Sequence, residues 1–196
     1  IAWLHVTNAC NLRCPYCYLG KTQEHMSHEV GLQALEAIFR SATRHGYQKI
    51  QIKYAGGESL LQFELIIALH EHARRLADAA SLALDEVILS NGTLLDAAKI
   101  KAIQDRPIRL MISLDGIGES HDIQRPFADG RGSSRQVMRA IDQCLQRGLI
   151  PEISVTVSAE NAAGLPNTVS YLLERNLPFS LNFYRENAYS SSSEDL

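Results

Sequence analysis

The sequence predicts an α/β protein in which six parallel strands are joined by helices. Along the 196 residues, the apolar positions switch repeatedly from a two-residue period, typical of strands, to a period of three to four, typical of helices. Polar or glycine-rich residues follow the first four strand-like stretches. This alternation favours parallel strands with right-handed crossovers, and by itself it is compatible with a barrel or a doubly wound sheet.

The strands are predicted where short apolar stretches lie between turn residues. In the second stretch, Ile50, Ile52 and Tyr54 alternate with polar residues, as expected for a strand with one buried face. The six predicted strands cover residues 1–7, 49–54, 86–90, 108–114, 150–157 and 179–184.

Five helices are predicted between the strands. Ser27 and Asp96 are the predicted N-caps of the first and third helices, because their side chains can accept bonds from the first free backbone N–H groups. Pro166 fits the first turn of the last helix, where its missing N–H costs nothing. The five predicted helices cover residues 28–44, 63–80, 97–104, 136–147 and 166–175, and a long polar connection covers 117–133.

Composition is that of one globular domain, predicted at residues 1–186, with a serine-rich, acidic and disordered tail at 187–196. The net charge is −3 and the 19 basic residues are scattered, which argues against a nucleic-acid surface. No apolar run reaches the length of a membrane span. Clustered thiols indicate a reducing, cytoplasmic compartment. The chain begins without Met, so it is expected to be an excised piece.

Three cysteines are concentrated in the loop after the first strand. Cys10, Cys14 and Cys17 have the spacing C-x3-C-x2-C, and their thiolates are soft ligands suited to zinc or iron–sulfur. The fourth cysteine, Cys144, is distant in sequence and falls on the apolar side of a helix, where a buried free thiol is expected. Three ligands on a four-iron cluster would leave one iron open. A redox pair or half of a zinc site at Cys14 and Cys17 are the alternatives.

This run resembles the radical S-adenosylmethionine (radical SAM) superfamily. The resemblance implies that Cys10, Cys14 and Cys17 hold a 4Fe–4S cluster whose fourth iron is chelated by SAM. It implies that an electron from the cluster cleaves SAM to methionine and a 5′-deoxyadenosyl radical, which abstracts a hydrogen atom from the substrate. Tyr16, just before the third cysteine, is implied to meet the adenine through its backbone. The implied architecture is an open, partial (β/α)6 barrel.

The ends of the second and third strands carry further matches. Gly56-Gly57-Glu58 resembles the Gly-Gly-Glu of the superfamily, which receives the amino group of SAM, although Ser59 replaces the usual proline. Asn91 lies in an Asn-Gly sequence that matches the implied third strand end, and it is a cofactor-binding candidate. Without the cysteine motif, Gly56-Gly57-Glu58 would be interpreted as a turn with a solvated carboxylate. Asn91 and the following glycine would be interpreted as a turn that needs a positive φ.

The fourth strand ends in a pattern similar to the sulfatase-maturase and peptide-maturase branch. Ser113-x-Asp115-Gly is followed by His121-Asp-x-x-Arg125. The resemblance implies that Ser113 and Arg125 hold the carboxylate and ribose end of SAM, and Asp115 is a further cofactor-binding candidate. A guanidinium is a suitable fork for a carboxylate, whereas the alternative is a mobile loop arginine.

The resemblance implies an oxidoreductase-type maturase that modifies a ribosomally made peptide. Its implied partners are a peptide or protein substrate and an electron donor such as flavodoxin or ferredoxin, with no nucleic acid and no membrane. An anaerobic sulfatase-maturing enzyme and a non-catalytic iron–sulfur or zinc protein are the alternatives. No catalytic acid or base is assigned, and His70 is assigned to the surface.

Overall fold

A computed structural model describes residues 1–184 of the chain. The predicted tail at 187–196 and the last two residues of the predicted domain lie outside this range. Within residues 1–184, no helix is long and apolar enough to cross a membrane.

One sheet of six strands forms the centre of the fold. The strands lie side by side in chain order, and each pairs in parallel with the next. Because this order never reverses, crossovers of one hand place all the helices on one face, which excludes the doubly wound alternative. The prediction of a partial barrel of parallel strands is therefore confirmed. The strands are β1 (Ala2–Thr7), β2 (Lys49–Gly56), β3 (Ala83–Ser90), β4 (Ile108–Ser113), β5 (Glu152–Val157) and β6 (Phe179–Phe183).

The helices begin where the predicted caps place them. The Ser27 hydroxyl accepts a bond from the Val30 N–H at 3.2 Å, and the Asp96 carboxylate accepts one from the Lys99 N–H at 2.8 Å. Two helices of four residues and one 3-10 turn, Ser59–Gln62, are too short to show a periodic pattern and were not predicted. The helices are α1 (His28–Arg44), α2 (Phe63–Ala80), α3 (Ala97–Gln104), α4 (Glu119–Asp122), α5 (Ser134–Gln146), α6 (Ala159–Ala162) and α7 (Leu165–Glu174).

The apolar core lies between the sheet and the helices. Side chains alternate between the two faces of a strand, so Ile50, Ile52 and Tyr54 of β2 all point to the helical side and are buried there. The opposite face of the sheet carries the cavity described below.

Strand β3 begins at Ala83, three residues before the predicted start. The three extra residues, Ala83, Leu84 and Asp85, are too few to show a strand period by themselves, but they pair in register with Lys49–Gln51 of β2. Asp85 also receives two bonds from Arg109 of β4, at 2.9 and 3.1 Å. Pairing and these bonds therefore extend the strand beyond what local composition indicates.

The assignment of His70 to the surface was wrong. His70 is buried, and its Nδ1 lies 2.7 Å from Oε2 of the buried Glu86. The Tyr54 hydroxyl donates to Oε1 of the same carboxylate at 2.6 Å. A buried carboxylate needs such partners, so His70 faces the core to satisfy Glu86.

Candidate active site

A cavity of about 510 Å³ opens on the face of the sheet opposite the apolar core, at the carboxyl ends of the strands. This is the edge of a parallel α/β sheet where binding sites are usually found. Nine of the eleven predicted site residues line it, but Glu58 and Asp115 do not. The nine are Cys10, Cys14, Cys17, Tyr16, Gly56, Gly57, Asn91, Ser113 and Arg125.

The cysteine loop is fastened on both sides. The Glu58 N–H donates to the Ala9 carbonyl at 2.9 Å, which ties the loop to the end of β2. On the other side, the Arg13 N–H donates to the carbonyl of Pro126, in the connection between α4 and α5, at 2.8 Å. A turn with a 3.1 Å bond from the Cys17 N–H to the Cys14 carbonyl closes the motif. These bonds fix the loop backbone that presents the thiols.

The two glycines are required by close backbone contact with the cysteine loop. A Cβ atom on Gly57 would lie 2.2 Å from the Ala9 carbonyl oxygen. A Cβ atom on Gly56 would lie 2.2 Å from the Thr7 carbonyl oxygen, and the Gly56 φ of +143° also favours glycine. The Gly-Gly pair therefore allows β2 and the cysteine loop to approach while its own backbone lines the cavity.

The three thiols line the cavity and are each partly buried. Burial raises the pKa of Cys14 to about 11 and also raises the pKa of Cys10. Within residues 1–184, no three His, Cys, Asp or Glu side chains are grouped so that they could hold a metal ion as they stand. The fit to an iron–sulfur cluster therefore rests on the donor type, three soft thiols spaced along one loop, and on the cavity beside them.

Glu58 holds the end of β3 from behind the cavity wall. Its Oε1 accepts from the Ser90 hydroxyl at 2.7 Å and from the Leu60 N–H at 3.0 Å, and its Oε2 accepts from the Asn91 N–H at 2.7 Å. Burial raises the pKa of Glu58 in spite of these bonds. The structure thus gives the carboxylate three donors within the protein and does not bring it to the cavity.

Asn91 connects the end of β3 to the cysteine loop. Its Nδ2 donates to the Asn11 Oδ1 at 2.9 Å and lies 3.8 Å from the Cys10 sulfur. Its Oδ1 accepts from the Thr93 hydroxyl at 2.7 Å. The amide is therefore oriented by neighbours on both sides and presents its N–H group toward Cys10.

Asp115 and Arg125 form a buried ion pair beneath the cavity. Arg125 Nε donates to Asp115 Oδ2 at 2.6 Å, and the Tyr16 hydroxyl donates to the same oxygen. The Thr156 N–H donates to Asp115 Oδ1 at 2.7 Å. Burial by itself would lower the pKa of Arg125, but the nearby Asp115 carboxylate raises it overall. The pair holds Arg125 as a fixed cation at the cavity wall and connects it to the cysteine loop through Tyr16.

His121 holds the polar connection between β4 and α5. Its Nδ1 accepts from the Asp115 N–H at 3.1 Å, and its Nε2 lies 3.1 Å from the Ser133 hydroxyl, which donates to the Arg125 carbonyl. Burial, together with the Arg125 charge, lowers the pKa of His121 from 6.5 to about 4. The imidazole is therefore neutral in the folded protein, as an Nδ1 acceptor must be.

The lowered pKa of His121 predicts that the folded protein loses stability in acid. The unfolded chain takes up the His121 proton near pH 6.5 and the folded protein only near pH 4, so the free energy of unfolding falls as the pH drops through this window. The full loss is about 3 kcal/mol. Urea unfolding of the wild type and of His121→Gln from pH 7 to 4 measures it, because the variant should have a flatter profile. The exposed His45→Gln is the control, and a variant profile as steep as that of the wild type would contradict the prediction.

Several cavity residues were not found from the sequence. Ser154, Thr156 and Asn182 lie on β5 and β6 and point into the cavity because of strand alternation, which only the paired register reveals. Tyr184 is different, because its position directly after the sixth strand made it a candidate to face substrate; it lines the cavity and packs edge-on against Tyr16, with the ring centres 6.3 Å apart. Other lining residues outside the prediction include Trp3, Tyr18 and Lys21.

Comparison with protein families matches residues 4–166 to the radical SAM superfamily. The chain is 25% identical over 179 residues to the Fe-coproporphyrin III synthase of Methanosarcina barkeri, a match that covers 91% of this chain and 42% of that protein. It is 30% identical over 162 residues to the serine-type anaerobic sulfatase-maturating enzyme of Klebsiella aerogenes, with 79% and 39% of the two chains covered. The chain spans about half the length of the curated relatives it matches.

Solved structures show the same fold. The structure of anSMEcpe with bound AdoMet and the Kp18Cys peptide superposes with a TM-score of 0.84 at 21% identity, over 100% of this chain and 56% of that one. At this identity the likeness supports the shared partial barrel.

Proposed function

The chain belongs to the radical SAM superfamily, and we propose that it is the catalytic core of an enzyme that modifies a ribosomally made peptide or a protein side chain. The cofactors of this superfamily are a 4Fe–4S cluster and S-adenosylmethionine. The observation that carries the proposal is the placement of the three motif thiols in one cavity with Asn91, Ser113 and Arg125, at the carboxyl ends of parallel strands.

The proposed ligands of the cluster are Cys10, Cys14 and Cys17. When bound, the cluster and SAM together supply reductive cleavage to a 5′-deoxyadenosyl radical, which takes a hydrogen atom from the substrate. The chain itself binds and orients the cofactors and the substrate, and it excludes water from the site. The Asn91 amide is held toward Cys10, and the loop backbone is fixed by backbone bonds that involve Glu58 and Arg13.

Ser113 and Arg125 are proposed to contact the carboxylate or ribose of SAM. Arg125 is suited to this role because Asp115 binds it through Nε and Nη2 while the guanidinium still lines the cavity. Gly56 and Gly57 offer backbone groups at the same wall. Glu58 and Asp115 are proposed as positioning residues, since each carboxylate is committed to donors behind the wall.

The substrate class is supported by the relatives and by the cavity. The Klebsiella relative is a sulfatase-maturating enzyme, and anSMEcpe binds a peptide. Exposed aromatic rings at the cavity, on Trp3, Tyr18 and Phe183, are suited to contact with a peptide. The Methanosarcina relative is an Fe-coproporphyrin III synthase, so a tetrapyrrole is the second candidate for the substrate. A flavodoxin or ferredoxin is the proposed electron donor.

Product analysis with peptides tests the proposed substrate class. Reconstituted, reduced protein is incubated with SAM and a library of serine- and cysteine-containing peptides, with a porphyrin in a parallel reaction. The proposal predicts that peptides accelerate 5′-deoxyadenosine formation and that some change mass, whereas Cys10→Ala protein leaves them unchanged. Acceleration by the porphyrin alone would contradict the peptide assignment and favour the second candidate.

A further inference from the structure

Lys21 directs its ammonium group at one of the three thiols. Its Nζ lies 2.6 Å from the Cys17 sulfur and 3.2 Å from the Leu19 carbonyl oxygen. The side chain is half-buried and lines the same cavity as the cysteines. A contact between an ammonium group and a thiolate is charge-assisted, and such contacts are stronger than bonds between neutral groups.

In the described part of the chain, no carboxylate neutralises the Lys21 charge. None of the ion pairs among residues 1–184 includes Lys21. The other cation that lines the cavity, Arg125, is paired with Asp115 at 2.6 Å. Lys21 therefore presents a net positive charge to the Cys17 sulfur, whereas the charge of Arg125 is largely cancelled.

We propose that Lys21 is a positioning residue that raises the reduction potential of the iron–sulfur cluster held by Cys10, Cys14 and Cys17. One-electron reduction adds one negative charge to the cluster and its thiolate ligands, and it breaks no bond. The electron comes from a low-potential one-electron donor. A fixed ammonium at a ligand sulfur stabilises the more negative state, since net charge and hydrogen bonds to the sulfurs set such potentials.

The expected size of the change in reduction potential follows from the contact between the Lys21 ammonium and the Cys17 sulfur. We expect loss of the Lys21 charge to shift the reduction equilibrium about ten-fold toward the oxidised cluster, which is about 59 mV for one electron. An arginine at position 21 keeps the positive charge, so it should preserve most of the increase in reduction potential. The inference rests on the proposed function, because that function supplies the cluster.

The test is a redox titration of reconstituted protein, followed by visible absorbance and by the electron paramagnetic resonance signal of the reduced cluster. Wild type is compared with Lys21→Met, Lys21→Gln and Lys21→Arg. Lys101→Met is the matched control, because it removes one exposed positive charge from α3, away from the cavity. Iron content, 5′-deoxyadenosine formation and the midpoint potential are measured for each.

The proposal predicts a lower midpoint for Lys21→Met and Lys21→Gln at unchanged iron content, and values near the wild type for Lys21→Arg and Lys101→Met. Equal midpoints in wild type and Lys21→Met would overturn it, as would equal shifts in Lys21→Met and Lys101→Met. Loss of iron in both neutral variants but not in Lys21→Arg would assign Lys21 to cluster assembly instead and overturn the tuning role. A wild type without an iron–sulfur signal would refute the proposed function itself, whereas a wild type that cleaves SAM with an unshifted variant potential refutes only this inference.

Discussion

Replacement of Cys10, Cys14 or Cys17 by alanine is expected to abolish iron binding, whereas replacement of Cys144 is expected to leave it intact. Each of the three thiols lines the cavity and belongs to one loop, so loss of any one leaves two ligands, too few to hold a cluster. Cys144 is fully buried in the apolar core on α5 and does not line the cavity.

Iron and sulfide analysis after anaerobic reconstitution measures this effect. The wild type and Cys144→Ala should each hold about four irons and four sulfides, and the three motif variants close to none. Equal loss of iron in all four variants would refute the ligand assignment. A colourless wild type with one bound zinc would favour the structural alternative.

Breaking the Asp115–Arg125 pair is expected to destabilise the protein strongly. Both side chains are buried, with 0% and 10% of their surfaces exposed, so removal of one charge leaves the other without compensation. Loss of one partner of a buried pair costs about 3–5 kcal/mol. For a chain of this size, Asp115→Asn should therefore lower the thermal unfolding midpoint by roughly 10 °C.

A double variant separates this electrostatic effect from a loss of packing. Asp115→Asn combined with Arg125→Met removes both charges, so it should be more stable than Asp115→Asn alone. The exposed Arg131–Asp129 pair lies in the same connection, and Arg131→Ala should leave the midpoint near that of the wild type. A double variant no more stable than Asp115→Asn would show that the pair does not act through uncompensated charge.

The fold was predictable where local chemistry determines the structure. Asp96 accepts from the Lys99 N–H, and α3 extends over the predicted residues 97–104. The start of β3 was not predictable, because Asp85 is held there by Lys49 and Arg109 on neighbouring strands. His70 was likewise misjudged, since its buried contact with Glu86, between a helix and a strand, leaves no mark in the pattern of either element.

Most positions of the candidate site could be predicted from the sequence, but the role of each side chain was harder to predict. Strand-end motifs identify Asn91, Ser113 and Arg125, and the structure brings them to one cavity. Sequence cannot show on which side of the wall a carboxylate lies, and Glu58 lies behind it, bonded to the end of β3. Lys21 was missed because its proximity to Cys17 depends on the path of an irregular loop.

Formation of 5′-deoxyadenosine by the reconstituted, reduced chain tests the proposed cofactor chemistry most directly. The protein is incubated anaerobically with SAM and dithionite, and the nucleoside and methionine are quantified against Cys10→Ala protein. We predict equal amounts of 5′-deoxyadenosine and methionine from the wild type and neither from the variant. A wild type that holds a complete cluster and forms no 5′-deoxyadenosine would contradict the proposal that this chain is a catalytic core.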